Sequence, residues 1–270
     1  MLKRRLIPVV LLRNGVVVQS KGFRRYQRLG DPVTIVQRLT DWAADELIYL
    51  DISREPAYDL GRDDLKAPNR TGILEILGDV ARRCMMPLTF GGGIRTLADA
   101  AARVRAGADK FTLNSAALAE PALIGACARE FGAQCVVLSI DAKVRDAGGW
   151  EVFADGGRTP TGRDPVAWAA EAEALGAGEI LINSIDRDGQ GTGYDLALVE
   201  SVAAAVGIPV IALGGAGSWE HFAEALARTR VSAVAAANIF HYSENSVYNA
   251  KQFLFAAGAD VRAPSLGLQP

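Results

Sequence analysis

Two glycine turns and a set of aspartates at the ends of apolar runs carry the chemistry open to this 270-residue chain. Gly91-Gly92-Gly93 and Gly214-Gly215 each stand between an apolar run and a helical stretch. Glycine lets backbone N–H groups approach an anion closely, and the helix start that follows adds a positive dipole end. Gly92, Gly93, Gly214 and Gly215 are therefore candidate phosphate ligands. Asn114 and Ser115, with Ala237 and Asn238, close neighbouring runs and offer further donors. Asp188 and Gly189 lie in a turn where they can support a phosphate. One Gly-Gly turn says little, because tight turns need glycine anyway. Two in corresponding places say more.

Asp51, Asp141, Asp186 and Asp188 fall at or just after apolar runs. Asp141 ends "QCVVLSID" and is the candidate general acid/base, since apolar neighbours raise a carboxyl pKa toward neutrality. Asp186 and Arg187 read as a structural turn with an internal ion pair. Proton shuttling commonly needs two groups. The natural partner for Asp141 would stand at the end of the first apolar run, "RLIPVVLLRNG". Leucines, Leu11 and Leu12, occupy that end.

These residues need a scaffold that gathers the ends of apolar runs on one face. Short β-branched runs are predicted as strands at 6–12, 46–51, 86–90, 110–114, 134–141, 179–184, 209–213 and 232–237. Helical patterns lie between them near 31–44, 71–84, 96–106, 121–131, 164–175, 195–206, 218–229 and 245–257. Continuous apolar runs suit strands covered on both faces. Eight such units give an α/β fold, a (β/α)8 TIM barrel, with a doubly wound open sheet as the alternative.

Internal similarity supports the barrel. "MPLTFGGGIRT" resembles "IPVIALGGAGSW", and "DELIYLD" resembles "GEILINS". The chain reads as one domain built from two half-barrels, about 1–120 and 121–260. Residues 13–30 are expected as a basic loop, 53–70 as a polar loop, and 144–163 as an insert holding a small hairpin. All three follow strands, so they belong to the face where barrel enzymes do chemistry.

Composition narrows the partners. Lys and Arg number 29 and Asp and Glu 31, for a net charge of −2. That balance gives no reason to expect nucleic acid or a membrane surface. No stretch approaches the roughly 20 apolar residues of a membrane span, and no leader pattern opens the chain. Cys84, Cys127 and Cys135 sit in apolar contexts and read as reduced thiols of a cytoplasmic protein. His221 and His241 show no ligand spacing, so no metal is expected, and no cofactor.

The motifs "FGGGI", "GADK", "LNSAA", "SIDAK", "GAGEIL", "SIDRDGQGTGYD" and "GGAGSWEHF" together resemble the HisF family over nearly the whole chain. HisF is the cyclase subunit of imidazole glycerol phosphate synthase. The resemblance implies a half-repeat barrel partnered by a HisH-like glutaminase. Ammonia would pass through its core to a bis-phosphorylated ribulosyl substrate at the mouth. It also implies two catalytic aspartates. One is Asp141; the position of the other holds Leu11. Gln19 stands where the family has a lysine, and Leu213 and Asn238 stand where it has serines. At the opposite end the family carries a ring of four charged residues that gates ammonia, and Arg5, Glu46, Lys110 and Glu179 match it. Each begins a different strand, so two cations and two anions can meet and neutralise one another. Asp109 matches a position that contacts the glutaminase.

"IPVVLLRNG" is further similar to the HisF-like proteins of sugar amidation (the WbuZ type) in surface-polysaccharide pathways. Those act with a HisH-like glutaminase and an ATP-dependent sugar amidotransferase. Three readings stand. The chain is an ammonia-conducting subunit with a phosphate-lined mouth, an authentic lyase/cyclase of histidine biosynthesis, or a HisA-like phosphosugar isomerase. Leu11 counts against the last two, because both need a carboxylate there.

Overall fold

Eight parallel strands close on themselves in a computed structural model that describes residues 3–54, 57–58, 70–241 and 246–264. The first part of the chain runs β1 (Arg5–Arg13), β2 (Val16–Lys21), β3 (Arg25–Gly30), α1 (Pro32–Asp41), β4 (Leu47–Asp51), α2 (Ile73–Ala81), β5 (Leu88–Gly91), α3 (Leu97–Arg105), β6 (Lys110–Leu113), α4 (Ser115–Ala119) and α5 (Ala122–Phe131). It continues β7 (Val136–Val144), β8 (Trp150–Ala154), β9 (Thr159–Pro160), α6 (Pro165–Leu175), β10 (Glu179–Ser184), α7 (Leu196–Ala205), β11 (Val210–Leu213), α8 (Trp219–Arg228), β12 (Ala233–Ala236) and α9 (Val247–Ala256). The barrel order is β1-β4-β5-β6-β7-β10-β11-β12, and β12 pairs in parallel with β1 to close it. The expected TIM barrel is therefore the fold, and the open-sheet alternative is excluded by that closing pair.

Strand alternation sorts the core into two layers. Leu6, Val10, Leu12, Leu47 and Tyr49 face the helices. Ile7, Val9, Leu11, Ile48, Val137, Leu181, Ile211, Leu213, Ala233 and Ala235 form a separate cluster that fills the barrel.

The same device starts α1 and α6. Asp31 accepts from the Val33 and Thr34 amides, with Pro32 behind it. Asp164 accepts from Val166 and Ala167, with Pro165 behind it. An aspartate cap satisfies orphan donors, and proline at the first helical position sets φ without losing a bond.

Residues 13–30 are not a loop. Val16–Lys21 extends antiparallel on β1, with Leu11 opposite Val18, and Arg25–Gly30 pairs with it. The resulting hairpin folds over the barrel mouth. The insert at 144–163 does form a hairpin, since β7 runs on to Val144 and pairs with β8, which pairs with β9. Most of the expected polar loop at 53–70 lies outside the described residues. Arg70 at its end is buried between Asp31 and Asp79, at 2.7 and 2.8 Å.

Candidate functional site

The bottom of the barrel is closed by a four-membered ion ring. Arg5 reaches Glu46 Oε1 and Glu179 Oε1, both at 2.6 Å. Lys110 Nζ reaches Glu179 Oε2 at 2.9 Å and Glu46 Oε2 at 3.3 Å. Each carboxylate gives one oxygen to each cation, so the charges alternate around the ring. Burial lowers the Arg5 pKa, but the two glutamates outweigh that and raise it, which keeps the guanidinium charged. Asp109, next to the ring, is exposed and its Oδ2 accepts from the Leu88 amide at 2.8 Å.

Above the ring the interior is one-sided. The wall from β11, β12, β1 and β4 carries Ile211, Ala233, Ala235, Ile7, Val9 and Ile48. The facing wall keeps Val137 and Leu181 of the same cluster and adds the polar groups, buried Thr89, Thr112, Ser139 and Asn183. Gly91 lets Thr112 and Leu50 pack directly against the β5 backbone, because a Cβ there would lie 2.0 Å from Thr112 Oγ1 and 2.8 Å from Leu50 Cδ2.

At the mouth, Asp141 is buried and accepts from Asn114 Nδ2 at 2.9 Å and Asn183 Nδ2 at 3.1 Å. Burial pushes its pKa up to about 6; the two amides hold it down and Asp188 adds to the rise. It is thus a group that titrates near neutrality, as a proton donor or acceptor must. Asn183 was not among the residues singled out from sequence. The register places it beside Asp141 on the adjoining strand, and an asparagine ending an apolar run is the signal that could have found it. Leu11 is 8 % exposed and packs in the apolar cluster with Val18, Leu213 and Leu50. Among the described residues no acid stands in its place: Asp51, next along the mouth, is engaged by the Tyr58 hydroxyl at 2.6 Å and the Ser53 amide at 2.9 Å.

The two glycine turns occupy corresponding places. Gly92 has φ +102°, and a Cβ on it would lie 2.1 Å from the Asp51 carbonyl oxygen. Gly214 has φ +93°, and a Cβ would lie 2.8 Å from the Ser184 carbonyl oxygen. Each turn presses against the tip of the preceding barrel strand, with Gly93 and Gly215 following at positive φ. Ser115 Oγ, beside the first turn, accepts from the Asp155 amide at 2.9 Å.

The remaining candidates hold the hairpin. Asp188 Oδ2 accepts from Ser20 Oγ at 2.8 Å and from the Phe23 amide at 3.2 Å. Asn238, which follows Ala237 at the end of β12, donates to the Ser20 carbonyl at 2.7 Å, and its Oδ1 is buried with no partner among the described residues. Gly189 is needed for the same contact, since a Cβ on it would meet Ser20 O at 2.5 Å. Asp186 and Arg187 do not pair with each other. Asp186 accepts from the Val144 amide at 2.8 Å, and Arg187 donates to Thr192 Oγ1 at 3.1 Å. Each therefore braces a different connection of the mouth.

Among the described residues, no group of three His, Cys, Asp or Glu side chains is placed to hold a metal, and no helix is long and apolar enough to cross a membrane.

The chain matches the family model described as "Histidine biosynthesis protein" over residues 5–246. It is 48% identical over 263 residues to the imidazole glycerol phosphate synthase subunit HisF of Hyphomonas neptunium. That similarity spans 97% of this chain and 99% of the relative.

Proposed function

Since the chain belongs to the histidine biosynthesis protein family, we propose that it is a HisF-like synthase subunit that conducts ammonia rather than cyclising a substrate. The observation that carries this reading is Leu11. It stands at the mouth, buried against Val18 and Leu213, where acid–base chemistry would need a second carboxylate beside Asp141.

The supplier in this reading is a HisH-like glutaminase docked on the ring face beside Asp109. Arg5, Glu46, Lys110 and Glu179 gate the entry. The apolar wall above them suits neutral ammonia, because a lone ammonium ion would be costly to carry through it. The glycine turns at Gly92-Gly93 and Gly214-Gly215, with Asn114 and Ser115, shape the mouth for an anionic group of a phosphorylated small molecule. Asp188, Gly189 and Asn238 would join such a site only after releasing the hairpin. The acceptor is a sugar, activated by an ATP-dependent amidotransferase of surface-polysaccharide synthesis. The similarity of "IPVVLLRNG" to that branch supports this.

The other reading is an authentic cyclase/lyase of histidine biosynthesis. The 48% identity to HisF and the retained Asp141 favour it. A cyclase assay separates the two. The purified chain is given the ribulosyl bis-phosphate and a high concentration of ammonium salt, which removes the need for a glutaminase. No turnover from folded protein is expected. Turnover at an ordinary enzymatic rate would overturn the conduit reading.

A further inference from the structure

The outer edge of the β2–β3 hairpin is a basic surface set directly above the barrel exit. Residues 13–30 hold five basic residues and no acidic one, in a chain whose net charge is −2. Lys21, Arg24, Arg25 and Arg28 are exposed, and none has a carboxylate within ion-pair distance among the described residues. Arg54 and Arg158 add to the same field, since both act on Tyr26 in the hairpin, where Asp188 is the opposing acid. Elsewhere some surface arginines are paired, Arg82 with Asp79, Arg163 with Glu171, Arg228 with Glu224 and Arg230 with Glu200, and those without a carboxylate among the described residues, such as Arg83, Arg95 and Arg129, are scattered rather than gathered on one element.

The hairpin also has an open edge. Among the described residues β3 pairs with β2 alone, so its other side presents N–H and C=O groups that no described strand pairs. Charges on such an edge discourage aggregation. One or two would do that, whereas here the whole hairpin lacks an acid. Arginine predominates, and arginine is the cation enriched at protein interfaces. The inner side of the same hairpin contributes Val16, Val18 and Tyr26 to the apolar cluster at the exit. A protein seated on the outer edge would therefore stand over the point where ammonia leaves.

We propose that the β2–β3 hairpin is the docking element for the ammonia-accepting enzyme, and that this enzyme presents an acidic surface to it. The inference rests on the conduit reading. Charge complementarity of this kind steers association and selects the partner.

The test places a photo-crosslinking p-benzoylphenylalanine at position 27, replacing exposed Gln27 on β3, in the full chain expressed in its own cell. A control places it at position 130, replacing exposed Glu130 on α5. The expected result has three parts. A protein adduct forms at position 27 and not at 130. Arg25→Glu with Arg28→Glu lowers its yield about tenfold or more, while the melting temperature stays that of the parent. The captured protein, purified, incorporates nitrogen from ammonium salt in an ATP-dependent reaction. No protein adduct at position 27, an adduct indifferent to charge reversal, or cross-linking to nucleic acid or lipid would overturn the proposal. So would a captured protein that uses no ammonia. The cyclase assay judges the conduit reading separately, so failure of either is told apart.

Discussion

The Ser20 hydroxyl donates to the Asp188 carboxylate across 2.8 Å, in a buried contact between the strand-1 hairpin and the connection after β10. Asp188 also accepts from the Phe23 amide at the hairpin tip, where φ is +57°. A side chain held in the left-handed region needs its surroundings to fix it there. Asp188→Ala is expected to cost about 1–3 kcal/mol and to speed amide exchange at Gly22 and Phe23 selectively. Asp188→Asn, which retains an acceptor oxygen, should lose less. Exchange rates at the hairpin equal to the parent's would show that other contacts hold it.

The ion ring gives a ranked expectation. Glu179 is the more buried of the two carboxylates and takes bonds from both Arg5 and Lys110. Glu179→Ala leaves two cations sharing one glutamate in a desolvated place, which costs about 3–5 kcal/mol. Glu46→Ala, at the wetter corner, should cost less. Urea unfolding reads both. Lys110→Ala is expected to keep the fold and to change how much glutamine-derived ammonia reaches the mouth when a glutaminase is bound. Coupling unchanged in both Glu46→Ala and Lys110→Ala would count against a gate.

Asp141 supplies a pH signature with a definite sign. Its carboxyl titrates at about 6 in the folded chain and near 3.8 when unconstrained. Below 3.8 both states are protonated and nothing is lost. As pH rises to 6 the unfolded chain ionises first, so stability falls; above 6 the full penalty remains. The gap corresponds to about 3 kcal/mol. Asp141→Asn should therefore gain on the parent as pH rises from about 4 to about 6, then run parallel to it. Denaturant midpoints at four pH values across that range test this, and a constant difference would refute it.

Much of the barrel was legible because its strands are covered on both faces. Runs such as "VVLSI" and "ILI" stay apolar or small throughout, and the helices between the runs carry their own boundary marks, Asp-Pro at α1 and α6 among them. The hairpin was not legible for the opposite reason. β3 has only an edge to pair with and keeps most of its side chains in water, so "RYQRLG" shows no apolar period. The mouth was half legible. Asp141 stood out as an acid ending an apolar run. Its two asparagine partners depend on register between strands far apart in sequence, and the hairpin's hold on Asp188 depends on a contact no local pattern reports. The expected Asp186–Arg187 pair failed because neighbours in sequence point to different connections.

Gly92 and Gly214 occupy like places but should not tolerate alanine equally. At Gly92 the added Cβ meets a backbone oxygen at 2.1 Å, so the tip of β4 must move; at Gly214 the nearest atoms are 2.8 Å away. Both also adopt positive φ, which disfavours alanine by itself. Gly92→Ala should cost about 2–4 kcal/mol, and Gly214→Ala distinctly less. Thermal melts of the two variants check the order, and equal losses would mean that strain in φ outweighs the clash.

Leu11→Asp is the sharpest single substitution at the mouth. It supplies the second carboxylate that the resemblance to HisF implies opposite Asp141, but it does so inside a cluster of Val18, Leu50 and Leu213. A carboxyl there lacks the amide partners that Asn114 and Asn183 give Asp141, so it should stay protonated well above the usual range and cost several kcal/mol, about 3 or more. Cyclase activity is not expected to return, because a neutral carboxyl is no base and the hairpin still covers the site through Ser20 and Asp188. The measurement is the ammonium-dependent cyclase rate of Leu11→Asp beside the parent, with circular dichroism to confirm folding. A gain of 10²-fold or more, the scale on which a proton-transfer group acts, would mean that the rest of the catalytic site is intact and that a single residue separates conduit from cyclase.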